Sequence, residues 1–310
     1  MPAVPSKPGL LNWLIVIGLS VIWGASFMSV KIALTGFGPL TIAACRTTLA
    51  AAALYAVMRV LRLALPQTAT PTGRRIWAHI IGMGFFSNAL PFFLLGWGMR
   101  HVASGFAGIT MAAVPIFALV LAHWLVPGER MTLAKVLGFS LGIAGVVVLV
   151  GPKALMSSGA DAEGLARLAC VGSTLAYAIG AIVTRRCPPV NLVVFSAGAL
   201  LMAALMAVPV ALLAEGWPAF GQASPSALLA LAYLGLGPTA LATLLLVRVI
   251  KTAGPTFLTQ SNYQVPVWSV VFGALVMHER LPAQFLAALT LILAGLAVSQ
   301  LGARWLGRSA

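Results

Sequence analysis

A run of six polar side chains interrupts an apolar stretch of the chain just before Pro266. The run consists of Thr259, Gln260, Ser261, Asn262, Tyr263 and Gln264. Such side chains donate and accept hydrogen bonds, and burying them in lipid is costly unless they find partners. We therefore predict a polar pathway here, with hydrogen bonds between helices as the alternative. The residues expected to bind the polar ends of a small molecule are Gln260, Asn262, Tyr263 and Gln264.

Two aromatic residues occupy matching central positions, Trp23 in the first apolar segment and Tyr177 in the sixth. A central aromatic ring can stack on another ring or face an ammonium group. Asn88 and Met111 lie inside the third and fourth segments. We predict that these four side chains line the pocket for the rest of the bound molecule. Space-filling between helices is an equally good interpretation for each aromatic residue alone.

Arg46 is the basic residue that lies well inside an apolar segment. A charge at that depth must face protein or water. Its guanidinium could receive a carboxylate through a bidentate contact. It could also extend toward the membrane surface or bond backbone carbonyls, and this structural role is the preferred interpretation.

Four prolines lie within apolar segments at matching places in the two halves of the chain. They are Pro91 and Pro115 in segments three and four, and Pro238 and Pro266 in segments eight and nine. Proline removes a backbone donor and kinks a helix, and the freed carbonyls need neighbours or water. The duplicated pattern predicts hinged gates around a central cavity, with static kinks as the alternative.

The residue types that are missing from the segments narrow the chemistry. All five acids, Glu129, Asp161, Glu163, Glu215 and Glu279, fall in loops or at segment ends. Coupling to protons or sodium through a buried carboxylate is therefore not expected. The chain shows no metal-ligand spacing, no catalytic cluster and no nucleotide-binding loop. We predict no metal, no cofactor and no enzymatic activity.

The composition places these residues in a membrane. Hydrophobic residues make up 61% of the 310 residues and charged residues 8%, against about 25% charged residues in soluble domains. A membrane span needs about 20 mostly apolar residues. Segments of that kind lie near 11–33, 39–58, 76–98, 103–126, 132–151, 164–184, 190–213, 226–247, 254–277 and 282–302.

The chain carries its pattern twice. The stretch from Gly18 to Lys31 matches that from Gly172 to Arg185, and Pro115 to Gly145 matches Pro266 to Gly295. Five segments per copy would place the second copy upside down in the bilayer, an architecture common in secondary transporters. We predict a single all-α membrane domain of ten transmembrane helices, built from two inverted five-helix repeats at residues 1–155 and 156–310.

The net charge of +14 is distributed between alternate loops. Thirteen basic residues fall in one set of loops and five in the other. The excess of Lys and Arg marks the cytoplasmic side, so both termini are predicted to be cytoplasmic. No basic run is interleaved with exposed aromatic residues, so we do not expect nucleic-acid binding.

Several motifs together resemble one transporter family. They are Ile22-Trp23-Gly24-Ala25-Ser26-Phe27 with Lys31, Arg46, Pro115 with Gly128-Glu129-Arg130, and Pro266 with His278-Glu279-Arg280. This set resembles the EamA group of the drug/metabolite transporter superfamily, and within it the YddG-type exporters of aromatic and other amino acids. The second copy departs from the first, with Tyr177-Ala178 where the first has Trp23-Gly24.

The resemblance implies a ten-span bacterial inner-membrane carrier that exports neutral or aromatic amino acids and related metabolites by alternating access. Transport would be passive or weakly coupled. Export of lipophilic cations is the alternative within the superfamily, and a channel or an intramembrane enzyme are alternatives of other classes. The expected partners are small-molecule substrate and lipid, and the oligomeric state stays open.

Overall fold

The computed structural model describes residues 9–126, 131–151 and 162–306, with side chains omitted at 255–256 and 300–306. Within these ranges the chain forms helices and no strand. Eight helices are long and apolar enough to cross a membrane. They are α1 Leu10–Ala33, α2 Pro39–Val60, α3 Pro71–Gly98, α4 Ser104–Leu125, α5 Leu133–Val150, α6 Ala162–Arg185, α7 Leu192–Glu215 and α8 Pro225–Ala253.

Two more helices follow in the described chain. α9 covers Ser261–Leu275 after a single helical turn at Pro255–Leu258, and α10 covers Ala283–Leu306. A short 3-10 turn at Phe220–Gln222 lies between α7 and α8. The all-helical membrane fold is therefore confirmed, while the count of ten spans and the inverted relation of the halves stay predictions. The Gly128-Glu129-Arg130 step lies outside the described residues.

Helix ends are set by local sequence. Side chains that accept a backbone N–H at a helix start are those of Thr70, Thr132, Asn191 and Ser224. Gly151, Gly216 and Gly254 end α5, α7 and α8 with φ angles of +82°, +78° and +85°. Residues with a Cβ rarely adopt this left-handed region. The sequence had suggested that α8 ends near residue 247, which would place Arg248 and Lys251 in a loop. The helix instead continues to Ala253, so both residues lie in its last turns.

The packing of the helices follows a regular pattern. α1 packs on α8 and α9, whereas α6 packs on α3 and α4. α2 packs on α7, and α5 packs on α10. If each helix is exchanged for its counterpart in the other half, α1 for α6, α2 for α7 and so on to α5 for α10, the same set of contacts results. A two-fold relation between two five-helix halves would produce that pattern, and it supports the proposal of a structural repeat.

The contact between α5 and α10 is made by backbone against backbone. A Cβ added at Gly138 would lie 2.5 Å from the carbonyl oxygen of Gly295, and one at Gly145 would lie 3.0 Å from that of Ala288. Small residues at helix contacts allow such close approach in membranes. α5 and α10 thus pack closely on each other and form part of the scaffold.

Two carboxylates tie helix starts to distant parts of the chain. Glu215 at the end of α7 accepts from the backbone N–H groups of Leu40 and Thr41, at 3.0 and 2.8 Å. Glu279 accepts from the N–H groups of Ser104 and Gly105, at 2.7 and 3.0 Å. A negative charge at a helix N-terminus is favourable because the first N–H groups lack helical partners. These acids therefore hold α2 and α4 in place.

Candidate functional site

A π-helical segment at Leu236–Leu241 interrupts α8 near its middle. Pro238 lies inside this segment and has no N–H to offer the carbonyl of Leu234, four residues earlier. The hydroxyl of Thr239 donates to that carbonyl oxygen instead, at 2.7 Å. Single π turns are frequent at functional sites, and this one is where side chains from α1 and α2 arrive.

Trp23 is bonded to the π segment of α8. Its indole Nε1–H donates to the carbonyl oxygen of Pro238 over 3.1 Å. A second bond joins the same two helices, because the hydroxyl of Tyr233 donates to the carbonyl oxygen of Ile22 at 3.0 Å. The ring of Trp23 is only partly buried, so one part of it anchors α8 while another remains accessible.

Arg46 ends on the residue next to the one that Trp23 binds. Its Nε–H donates to the hydroxyl oxygen of Thr239 at 2.7 Å, and its Cζ lies 3.8 Å from the ring centroid of Phe92 on α3. The side chain retains 8% of its surface exposure. Arg46 therefore links α2, α3 and α8.

The structural contacts of Arg46 leave part of its guanidinium free. Nη1 and Nη2 make no hydrogen bond with any residue that the structure describes. Every fully buried side-chain nitrogen or oxygen in the same residues has a partner, so both terminal nitrogens must reach an accessible space. The Tyr177 hydroxyl is likewise without a hydrogen-bond partner among the described side chains.

α3 contains a second π segment, Gly84–Ala89, at the position matching that of α8. Pro91 follows it as the second residue of the next helical turn. The amide Nδ2 of Asn88 donates to the carbonyl oxygen of Met83 at 3.3 Å, and Ser87 lies directly against Gly180 of α6. A π segment is thus present in both halves, and Asn88 is partly engaged by backbone.

α4 is also interrupted, and it runs antiparallel against α9. Gly105 lies beside Gly273, and Gly108 lies against Ser269. A 3-10 turn at Met111–Ala113 interrupts α4 and packs on α9. The turn that contains Met111 therefore lies next to α9.

The prolines of these two helices differ in their relation to the breaks. Pro115 is the second residue after the 3-10 turn of α4. Pro266 lies within α9, six residues after the break at Thr259 and Gln260. Pro91, Pro115 and Pro238 therefore stand within or directly after a helix irregularity, whereas Pro266 lies inside the regular helix α9. The role of all four prolines as hinges stays a prediction.

The polar run forms the start of α9. Gln260, Asn262 and Gln264 are partly exposed, and their amides make no hydrogen bond with any part of the chain that the structure describes. Thr259 and Tyr263 do have partners. Trp23, Met111 and Tyr177 border one shared buried cluster. The amides of Gln260, Asn262 and Gln264, being partly exposed and without a described partner, are available to a ligand.

Sequence reasoning missed two members of the central site. The hydroxyl of Tyr233 binds α1 three residues before the π segment of α8, and Phe92 supplies the ring beneath the Arg46 guanidinium. The signal was available in part, because a buried arginine needs an oxygen or an aromatic face within reach. In the described ranges, no group of three or more His, Cys, Asp or Glu could hold a metal ion.

Comparison with known proteins places this arrangement among transporters. The chain is 23% identical to the uncharacterized transporter YoaV of Bacillus subtilis over 91% of its length and 94% of that protein. It is 27% identical to the uncharacterized inner membrane transporter YedA of Escherichia coli, over 82% of its length and 79% of that protein. A solved crystal structure with 23% identity covers 95% of this chain and 99% of its own, with a TM-score of 0.67, which shows a shared fold.

A shorter match concerns a relative with a named substrate. The chain is 30% identical to the "Probable terminal-alkyne amino-acid exporter" of Streptantibioticus cattleyicolor, over 44% of its length and 43% of that protein. The sequence model of the EamA-like transporter family matches twice, at residues 11–151 and 164–300. With two copies of that pattern and a helical membrane fold, the chain belongs to the EamA-like transporter family, within the drug/metabolite transporter superfamily.

Proposed function

We propose that this transporter is a carrier that exports neutral or aromatic amino acids and related small metabolites from the cytoplasm by alternating access. The observation that supports it most is the state of Arg46. A nearly buried guanidinium keeps two terminal nitrogens free, and a carboxylate is the group that such a fork binds best. A transported amino acid would supply one.

The acids of the described chain do not compete for Arg46. Glu163 pairs with Arg167, Glu215 binds Thr41, and Glu279 binds Ser104. A carrier for lipophilic cations would be expected to hold an acid in its pathway, and a free guanidinium would repel such a substrate. The charge at the site therefore favours substrates with a carboxylate over cationic drugs.

The other groups of the site suit a zwitterion. The exposed part of the Trp23 ring and the Tyr177 phenol could face an ammonium group or an aromatic side chain. The amides of Asn262 and Gln264, which have no partner within the described chain, could accept from the ammonium. No fixed acid binds the amine end in this arrangement, which suits a broad range of neutral amino acids.

Alternating access is supported by where the helices are broken. The π segments of α3 and α8 occupy matching places, a 3-10 turn interrupts α4, and the helical path is broken at Thr259 and Gln260 before α9. Helix breaks at paired positions, with substrate near the midplane between repeats, are a known design of secondary transporters. In this proposal the excess of basic residues places both termini in the cytoplasm.

The test is uptake of labelled methionine and phenylalanine into proteoliposomes, with and without a proton gradient. Saturable flux and counter-exchange are expected, and methionine should compete whereas methionine amide, which lacks the carboxylate, should not. Arg46→Gln should lower flux by roughly tenfold or more, as loss of a charge-assisted contact would. Arg100→Gln, an exposed arginine outside the site, serves as the control and should keep wild-type flux.

Three outcomes would overturn the proposal. Equal competition by the amide would remove the carboxylate contact, and transport of cationic drugs without amino-acid flux would favour the cation exporters. Flux without saturation or counter-exchange would indicate a channel.

A further inference from the structure

A cavity of about 250 Å³ opens away from the central site, where α3 begins and α4 and α6 end. Basic and aliphatic side chains share its wall. The basic residues are Arg75, His79 and Arg186, and the aliphatic residues include Leu125, Ile182 and Val183.

The cavity lies between α3 and α6, beyond the last of their close contacts. At Gly82 the helices touch, since an added Cβ would lie only 3.1 Å from Cγ1 of Val183. Toward the start of α3 the side chains become longer, from Gly82 to His79 and Arg75. The result is a wedge with a closed apolar apex and a basic mouth.

The mouth carries positive charge that the described chain does not neutralise. Arg75 and Arg186 are exposed and form neither a hydrogen bond nor an ion pair through their side chains with described residues. His79 is held in place, with Nδ1 2.7 Å from the carbonyl oxygen of Arg75. Because a carbonyl only accepts, Nδ1 carries the proton of that bond.

The three acids that the structure describes lie elsewhere. Glu163 is in the first turn of α6, whereas Arg186 follows its last turn. Glu279 binds the first residues of α4, whereas Leu125 is its last residue. Glu215 binds the start of α2. Among the described residues, the lining of the cavity therefore carries positive charge, which suits an anion.

The apolar wall beside the basic mouth favours an anion that also carries an apolar chain. Leu125 keeps 42% of its surface exposed at the cavity, and Ile182 and Val183 extend the apolar wall toward the apex. A free phosphate would use the arginines alone, whereas a phospholipid would use both parts. Basic pockets between transmembrane helices near the membrane surface are suited to anionic headgroups.

We propose that this wedge binds one anionic phospholipid, with its phosphate at Arg75 and Arg186 and an acyl chain along Leu125, Ile182 and Val183. The volume fits the phosphate and glycerol part of a lipid, and the acyl chains continue into the surrounding bilayer. The lipid would bridge α3 and α6 beyond the last of their close contacts. This site does not depend on which substrate the carrier exports.

The experiment measures lipid binding to the purified full-length protein in detergent. Phosphatidylglycerol, phosphatidylcholine and inorganic phosphate are titrated while the thermal unfolding midpoint is followed, and retained lipid is identified by native mass spectrometry. The test variant is Arg75→Gln with Arg186→Gln. The control is Arg59→Gln with Arg248→Gln, which removes equal charge from exposed positions outside the cavity. All four residues are exposed, so both variants are expected to fold.

Phosphatidylglycerol is expected to raise the midpoint of the wild type and the control, and to bind the test variant at least about tenfold more weakly. Equal stabilisation of the test variant would overturn the site. Equal stabilisation by phosphatidylcholine would overturn the choice of an anionic lipid. Full competition by inorganic phosphate, with no lipid retained, would show a small-anion site and overturn the acyl-chain contact.

Discussion

Arg46 donates its Nε–H to the hydroxyl oxygen of Thr239 over 2.7 Å. The preceding residue, Pro238, provides the carbonyl that the Trp23 indole binds. α1 and α2 thus each form a hydrogen bond with one of two consecutive residues in the π segment of α8. A shift of that turn would move both side chains together, which connects the geometry of α8 to the groups proposed to touch substrate.

Thr239→Val should destabilise the protein by about 1–3 kcal/mol, because it leaves the Arg46 Nε–H and the Leu234 carbonyl without a partner. Thr239→Ser keeps the hydroxyl and should lie close to the wild type. Thermal unfolding in detergent measures the difference. Equal midpoints for the valine variant and the wild type would mean that water replaces both bonds.

Trp23→Phe should cost about 0.5–1.5 kcal/mol, since it removes one hydrogen bond to Pro238 and keeps most of the ring. It should also lower the rate of substrate exchange if α1 and α8 move together. Trp97→Phe is the matched control, because the Trp97 indole makes no hydrogen bond with the described residues. Identical losses in the two variants would assign the effect to ring size alone.

Glu279→Gln should destabilise the protein by about 1–2 kcal/mol, because the lost charge faces the first N–H groups of α4. Glu163→Gln removes an equal charge that lies exposed in the first turn of α6 and pairs with Arg167. A smaller loss, about 1 kcal/mol or less, is expected there because solvent screens an exposed charge. Chemical unfolding followed by tryptophan fluorescence compares the two. A larger loss in the Glu163 variant would contradict the helix-start role of Glu279.

The double variant Asn262→Ala with Tyr263→Ala should cut amino-acid flux without loss of folding, because both side chains lie partly exposed at the start of α9. Proteoliposome uptake gives the flux, and size-exclusion profiles with thermal midpoints give the folding. Wild-type flux in a well-folded double variant would remove this end of α9 from the binding site.

Gly138→Ala should destabilise the contact of α5 with α10 by about 1–3 kcal/mol, because the new methyl group meets the backbone of Gly295. Gly18→Ala is the control, since nothing lies within 4 Å of an added Cβ there, and about 0.5–1 kcal/mol of stabilisation is expected. Thermal midpoints decide between them, and an unchanged Gly138 variant would show that the two helices can separate at little cost.

The sequence was most informative about the helices, because a chain that crosses a membrane must satisfy its backbone hydrogen bonds within each segment. The length of each apolar stretch predicts the extent of each helix, and Gly151, Gly216 and Gly254 end three of the helices. The prolines predicted the irregular places in α3, α4 and α8 because a missing N–H must disturb the helix. The form of each irregularity, π or 3-10, depends on neighbours such as Thr239, which a pattern in one helix does not reveal.

The candidate site was predictable only as a set of residue types. The depth of Arg46 predicted a partner, but Thr239 and Phe92 come from helices far away in sequence. Trp23 was expected to line a pocket, and its bond to Pro238 depends on how α1 meets α8. Contacts of this kind arise from the crossing of helices, which periodicity does not encode.

The glycine contact holds α5 and α10 at a fixed position relative to each other. Gly138 meets Gly295 through backbone atoms, so no side chain there can change rotamer to let the helices slide. Spin labels or fluorophores on the outer faces of this pair would therefore mark an origin. Distances from that origin to α3, α4, α8 and α9 would record the transport cycle as motion relative to a stationary reference.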